Sequence, residues 1–160
     1  MKPLTSSTLF HRGMTLVEII SVIAIFIIIF GIGSYVFINA RRSSELRGLT
    51  DTIALTLEQA KSNALIGKGG LDFGLRFAAD SYTYFSGSSY VPSDTSNQVH
   101  GLSTGYQIAN TFASTSGVVV FRHLTGLPQA TGTVTITALS DPSDPQTIII
   151  GSQGEITVIK

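Results

Sequence analysis

The chain has 160 residues and no cysteine, and its ten basic and ten acidic residues give a formal net charge of zero. The lack of cysteine excludes disulfides and thiolate metal sites, and the balanced charge provides no basic stripe for nucleic acid. Only 12% of the residues are charged, and much of the apolar excess lies between Leu16 and Ile38. The composition therefore indicates an apolar segment joined to a remainder that is large enough for one modest core.

The N-terminal segment is polar up to Arg12, and residues 19–38 then contain no charge. As a helix, these twenty residues would span about 30 Å, the thickness of the hydrocarbon core of a bilayer. A secretory signal would have a shorter apolar region followed by a small-residue cleavage site, which this sequence lacks. A plain membrane anchor fits the length, but Arg41 and Arg42 after the span would then place the C-terminal part in the cytoplasm.

Glu18 stands at the border of this uncharged segment. An acidic side chain at mid-membrane costs about 2.5–3.5 kcal/mol, and a position near one end reduces that cost. A carboxylate in the first turn of a helix is also favoured by the helix dipole, by about 0.3–1 kcal/mol. Glu18 could reach the lipid headgroups, or it could be compensated by a positive partner.

The segment Gly13-Met14-Thr15-Leu16-Val17-Glu18 resembles the class III signal of type IV prepilins and type II secretion pseudopilins. The resemblance implies that a prepilin peptidase cuts after Gly13 on the cytoplasmic face and N-methylates Met14, where the family usually has Phe. It also implies that Glu18 neutralises the terminal amine of a neighbouring subunit. The expected partners are this peptidase and methyltransferase, other pilin or pseudopilin subunits, the inner-membrane assembly platform and membrane lipid.

We therefore expect three parts. Residues 1–13 form a prepilin leader peptide, and residues 14–40 form a transmembrane and assembly helix. Residues 41–160 form an amphipathic helix and a β-rich domain outside the cytoplasm. The protein would first be a single-pass protein of the bacterial inner membrane and later part of a pilus or pseudopilus.

One long helix from Met14 to about Ile66 is predicted, because no proline interrupts it. The Gly31-Ile32-Gly33 segment is either ordinary membrane-helix glycine or a point of local unwinding when the subunit leaves the bilayer. The second half carries an apolar stripe that should pack on a sheet, formed by Leu46, Leu49, Ile53, Leu57, Ala60 and Ala64. The glycines of Gly67-Lys68-Gly69-Gly70 end the helix, and their spacing does not match a phosphate-binding loop.

The remainder predicts about six strands in an antiparallel sheet, so that the fold class is α+β with a long N-terminal helix. Residues 86–105 are rich in small polar residues and predict an exposed loop. The arrangement from Val118 to Ile159 resembles minor pseudopilins and minor pilins of the GspH/FimT type. The predicted strand segments are 71–77, 82–85, 107–109, 117–121, 133–138, 147–150 and 155–159.

No chemical motif indicates an enzyme or a cofactor. His11 lies in the leader, and neither His100 nor His123 has a metal-binding or catalytic spacing to another candidate residue. The Asp141-Pro142-Ser143-Asp144-Pro145 segment could gather carboxylates around calcium, as a loop of some major pseudopilins does. It lacks the glycine and closing Glu of an EF-hand loop, and the simpler interpretation is a polar turn between two strands, with the prolines fixing the backbone.

Two alternatives to a structural pilin subunit remain. Some FimT-like minor pilins bind DNA through basic residues near the closing hairpin, but here that place has Gly154-Glu155-Ile156 and only Lys160 follows. Nucleic acid is therefore not a favoured partner, although a ligand- or DNA-binding minor pilin is one alternative. The other is a single-pass membrane protein that is never processed. The entry signal is shared by type IV pili, type II secretion and competence fibres, so it does not distinguish them.

Overall fold

The computed structural model of the protein describes residues 14–112 and 117–159, although not the side chains of residues 32–40. The predicted leader peptide therefore lies outside the described residues. The chain divides into two compact units, Met1–Arg41 and Arg42–Lys160. The first contributes the beginning of helix α1 (Leu16–Leu65), and the second contains the rest of that helix and all the strands.

Helix α1 confirms the predicted long helix, and its second half buries the predicted stripe. Five members of the stripe are buried and Leu49 is partly buried against the same core. Thr50 adds a polar side chain to the buried face that the apolar pattern did not include. Its hydroxyl donates to the carbonyl of Leu46 at 2.9 Å, so its donor is satisfied within the helix. The buried members are Leu46, Ile53, Leu57, Ala60 and Ala64.

The glycine cluster ends α1 as predicted. Gly67 has a left-handed backbone with φ of 67°, and its N–H donates to the carbonyl of Ala64 at 3.0 Å. A short 3-10 turn, Lys68–Gly70, follows. The N–H of Leu124 donates to the same Ala64 carbonyl at 2.8 Å. The end of the helix is therefore closed by a distant loop as well as by local hydrogen bonds.

Within the described residues, eight strands form two antiparallel sheets of four strands each. The first sheet has the order β3-β2-β1-β5 and contains β1 (Phe73–Phe77), β2 (Ser81–Ser86), β3 (Gln98–Gly101) and β5 (Val118–Phe121). The second has the order β4-β6-β7-β8 and contains β4 (Tyr106–Asn110), β6 (Gly132–Ala138), β7 (Asp141–Ile150) and β8 (Ile156–Ile159). Residues from α1 and both sheets share one hydrophobic core, which confirms the α+β class.

The first sheet is covered on both faces around Gly74, and four of the five residues of β1 are buried. The ring of Phe85 lies over Gly74, where a β-carbon would come within 2.8 Å of it and would overlap the carbonyl oxygen of Val119. Tyr90 contacts Phe85 edge-on at 5.5 Å between ring centroids, and the Arg76 guanidinium lies 5.0 Å from the Tyr90 ring centre. This aromatic cluster explains why Phe85 is buried on this face of the sheet.

In the second sheet, β6 alternates: Val134 and Ile136 are fully buried, and Thr133, Thr135 and Thr137 are half-buried. In β7 the buried positions include Gln146, which is 1% exposed. Its Oε1 has no hydrogen-bond partner among the described residues. A polar atom is therefore enclosed in an otherwise apolar row of side chains.

Two loop predictions were wrong. Strand β3 lies inside the predicted loop 86–105, and all of its residues are exposed. It is ordered by pairing with β2 and buries no side chain, so no apolar alternation announces it. The Asp141–Pro145 segment opens β7, and the turn lies just before it, at residues 139–140. The pairing register of β6 with β7 shifts between Ile136 and Ala138. The ladder of hydrogen bonds between these strands is therefore irregular next to the prolines of β7. Strand β3 has no counterpart among the predicted segments, and the described residues form eight strands where about six were predicted.

Candidate assembly site

The start of α1 is fixed by a local hydrogen bond. The N–H of Glu18 donates to the hydroxyl of Thr15 at 3.3 Å, and Thr15 immediately precedes the helix, which begins at Leu16. Thr15 is thus the N-cap and Glu18 is the third helical residue, the spacing of a capping box. The Thr-x-x-Glu spacing in the sequence is a signature of this cap. The backbone N–H of Glu18 consequently has a partner within its own chain and does not depend on a second subunit.

The described side chains that follow this cap are apolar and exposed on every side of the helix. Ser21 adds a hydroxyl to this surface, and it donates to the carbonyl of Val17 at 2.8 Å. The rings of Phe26 and Phe30 stack with centroids 6.1 Å apart. A helical surface of this kind is covered in nature by lipid or by other apolar helices. The exposed apolar residues include Leu16, Val17, Ile19, Ile20, Ile23, Ile25, Phe26, Ile27, Ile28, Ile29 and Phe30.

The predicted processing and assembly residues fall partly within the described chain. Gly13 lies outside it, whereas Met14 is described and 68% exposed, one turn before the exposed Glu18. At Gly31 the helix continues, and a β-carbon there would meet no atom within 4 Å. Processing at Gly13 and Met14 and pairing of Glu18 stay predictions.

Among the described residues, no helix combines the length and the apolar character needed to cross a membrane.

A second polar pair, which no sequence spacing predicted, joins Asp72 to His123. Asp72 Oδ1 accepts the backbone N–H of His123 at 2.8 Å and lies 3.1 Å from the ring Nδ1. The backbone N–H of His123, followed by its ring and by the charge of Arg122, lowers the pKa of the Asp72 carboxyl, while burial opposes this change. The pair holds the loop after β5 beside the end of α1, so its evident role is structural.

The two remaining candidate ligand sites have local explanations. Asp141 Oδ1 accepts the hydroxyl and the backbone N–H of Ser143, and the hydroxyl bond is the larger of the two causes that lower the pKa of Asp141. Glu155 Oε2 accepts the backbone N–H of Gln153 at 3.0 Å, within the closing hairpin. Among the described residues, no group of three or more His, Asp or Glu side chains could hold a metal ion.

No family model matches the sequence. A search of curated proteins also finds no significant match.

Solved structures do share this fold. The minor pseudopilin EpsH from the Type 2 Secretion System of Vibrio cholerae superposes with a TM-score of 0.57 at 15% identity, over 72% of this chain and 96% of EpsH. The type IV minor pilin FimU of Pseudomonas aeruginosa strain PAO1 gives 0.57 at 12% identity in one crystal form, over 74% of this chain and 91% of FimU. A second crystal form of FimU gives 0.54, over 71% and 92%. The chain therefore has the fold of pilins and pseudopilins.

Proposed function

We propose that this chain is a structural subunit, a minor pilin or minor pseudopilin of the GspH/FimT type, that is assembled into a type IV pilus or a type II secretion pseudopilus. The observation that carries the proposal is the joining of two features in one chain. A capped helix whose side chains are apolar on all sides leads into a domain with the pilin fold. The first feature suits burial among like helices, and the second suits the outside of a fibre. The work of such a subunit is mechanical, and it needs no catalytic site.

The proposed maturation begins in the inner membrane. The charge-free residues 19–38 would insert there, and the C-terminal domain would lie outside the cytoplasm. The peptidase would cut after Gly13 and methylate Met14, which leaves a charged amine next to the N-cap Thr15. The assembly platform would then move the subunit from lipid into the fibre. Membrane lipid and neighbouring helices in turn would cover the exposed apolar surface of α1.

Glu18 has two separable roles in this proposal. Its backbone N–H is held by Thr15, which sets the first turn and fixes the direction of the side chain. Its carboxylate would pair with the Met14 amine of an adjacent subunit, so that the cost of burying each charge is reduced by the other. The first role uses only the backbone N–H of Glu18, whereas the second needs its negative charge.

The direct test is N-terminal sequencing and mass analysis of the full chain extracted from membranes of a cell with a prepilin peptidase. We expect a chain that begins at N-methylated Met14. An intact Met1 would show an unprocessed single-pass membrane protein and would overturn the proposal.

Glu18→Gln and Glu18→Ala test the charge role alone, because both keep the backbone N–H that bonds to Thr15 and both remove the carboxylate. We expect both variants to be processed but depleted from sheared fibres by a similar factor, because each lacks the charge. Wild-type incorporation of Glu18→Gln would show that assembly does not need the charge of Glu18.

A further inference from the structure

Strand β5 ends the order of the first sheet, and its inner edge is paired with β1. The N–H of Phe77 donates to the carbonyl of Gly117 at 2.8 Å, and the antiparallel ladder continues from there. Hydrogen-bonded pairs alternate along such a ladder, so the backbone groups of Val118 and Val120 point away from β1. These two residues therefore form the outer edge of the sheet.

The chain pairs with the later part of this outer edge. The N–H of Gln129 donates to the carbonyl of Val120 at 2.8 Å, and the N–H of Arg122 donates to the carbonyl of Leu127 at 2.9 Å. The two hydrogen bonds form an isolated antiparallel bridge. The chain then bends at residues 129–130 and enters β6 of the second sheet. The ladder on the outer edge consequently stops at Val120.

Three backbone groups are left over on the outer edge. Among the described residues, no hydrogen-bond partner meets the N–H of Val120 or the N–H and carbonyl of Val118. We name these three groups the open edge. Charged side chains and prolines often protect the edge of a sheet from other chains, but residues 118–120 are all valine. The open edge is therefore able to pair with a further strand.

A cleft of about 350 Å³ lies beside the open edge, and we name it the edge cleft. Val118 and Val120 contribute aliphatic side chains to its lining, and Ser89, Tyr90 and Gln129 contribute neutral polar groups. None of the described residues that line it is charged. The edge cleft thus offers space for a chain next to unpaired backbone groups.

One wall of the edge cleft is held in place by contacts outside it. The Arg76 guanidinium lies over the Tyr90 ring, 5.0 Å from its centre, and Phe85 meets the same ring edge-on. Tyr90 is therefore a fixed wall, and its ring is already used by these two neighbours. The groups that remain for a ligand are the backbone of β5 and a neutral lining, which suit an extended peptide.

We propose that the edge cleft binds an extended, uncharged segment of a partner protein, which adds to β5 as a further strand. The segment Leu127–Gln129 already runs antiparallel to β5, and the incoming strand would continue this ladder past the bend. Its carbonyls would accept the N–H groups of Val118 and Val120, and one N–H would donate to the Val118 carbonyl. An aliphatic side chain at every second position would contact the two valines. The inference concerns the β-rich domain and goes beyond the proposed assembly of α1.

Amide hydrogen exchange of the full chain in detergent tests the open edge without a ligand. The N–H groups of Val118 and Val120 should exchange at least about tenfold faster than those of Val119 and Phe121, which point toward β1. Equal protection of all four amides would show that the outer edge is already closed and would overturn the inference.

The binding test selects peptides from a displayed library of short random sequences on the same full chain. We expect the enriched peptides to be uncharged, with aliphatic residues at alternate positions, and to slow exchange of the Val118 and Val120 amides. A selection that enriches no peptide with this effect on exchange would overturn the inference.

N-methylation of an enriched peptide distinguishes strand addition from binding by side chains alone. Alternate N–H groups of an added strand face β5, and the others face away. N-methyl groups on one alternate set should therefore lower the affinity about tenfold, whereas those on the other set should change it less than about twofold. Equal effects of the two sets would show a different mode of binding and would overturn the proposal.

Two substitutions at the edge cleft complete the test. Ala130→Arg and Ser89→Arg each introduce a long charged side chain at the lining, and each should weaken peptide binding about tenfold. Ser93→Arg adds the same charge at an exposed position outside the lining and should bind like wild type. Wild-type affinity in both cleft variants would overturn the inference. None of these measurements depends on cleavage after Gly13 or on fibre assembly, so their failure is distinct from failure of the proposed function.

Discussion

The carboxylate of Asp72 holds both the backbone N–H and the ring of His123, a residue 51 positions later in the chain. Asp72 lies between the end of α1 and β1, and His123 lies just after β5. The next residue, Leu124, closes the last turn of the helix. The loop after β5 is therefore fixed at two successive residues, first to a strand entrance and then to a helix end.

Asp72→Asn should make stability depend less on pH. The pKa of Asp72 is lowered in the folded protein, so its ionised form stabilises the fold above the ordinary carboxyl range. That contribution is lost as the pH falls through the lowered pKa. We expect the variant to be less stable than wild type by about 1 kcal/mol at pH 7, and the two to converge once the pH has fallen below the lowered pKa of Asp72. Thermal unfolding at several pH values measures this, with the exposed Asp144→Asn as the control; a constant difference at all pH values would contradict it.

Gly74→Ala should destabilise the domain, because the new methyl would overlap the Val119 carbonyl oxygen and press on the Phe85 ring. The expected loss is about 1–3 kcal/mol, as for overpacking in a core. Gly101→Ala is a matched control in the same sheet, since a β-carbon there meets no atom within 4 Å. Urea unfolding midpoints would compare the two, and similar midpoints would show that the first sheet yields around Gly74.

Gln146 offers a test of the buried polar atom in β7. Gln146→Leu removes an unpartnered Oε1 from the core, so we expect stability equal to or above wild type. At neutral pH, Gln146→Glu would bury a charge. Its loss of stability should be several times larger than any change in stability caused by Gln146→Leu. Melting temperatures of both variants decide this. Marked destabilisation by Leu would mean that the amide makes a contact that supports the fold.

Thr15→Ala should loosen the first turn of α1 by about 1 kcal/mol, because the Glu18 N–H loses its acceptor. Thr15→Ser keeps the hydroxyl and should behave like wild type. Amide hydrogen exchange of Glu18 in detergent-solubilised full chain reports the change directly. Equal exchange rates in Thr15→Ala and Thr15→Ser would show that the Thr15 hydroxyl does not cap the helix.

Much of the helix could be predicted because its pattern is set by burial within one element. The spacing of Ile53, Leu57 and Ala60 reflects one face of a helix against a core, and the structure buries that face. Strand β6 was predictable for the same reason, with a period of two. Strand β3 was not, since Gln98–Gly101 buries nothing and is held to β2 by backbone pairing and by the His100 ring stacked on Tyr82. A buried face produces a periodic spacing of apolar residues in the sequence, whereas an exposed edge strand held by pairing does not.

The candidate site divides in the same way. The Thr15 cap on Glu18 is local, and its Thr-x-x-Glu spacing could have been recognised. The Asp72–His123 pair joins distant segments, so only the folded chain brings the two residues together. The charge role of Glu18 depends on another chain, and a single subunit therefore cannot display it.

The bond from Leu124 to Ala64 also sets an order of events during synthesis. The ribosome adds Ala64 to the chain well before Leu124. The Ala64 carbonyl at the end of α1 therefore lacks the N–H of Leu124 as a donor until the later residue has been made. Until the loop after β5 has been synthesised and packs against the helix, the last turn of α1 is stabilised only by the local hydrogen bonds around Gly67. Helix α1 is thus synthesised first, but the hydrogen bond from Leu124 to its C-terminal end forms only after most of the domain has been made.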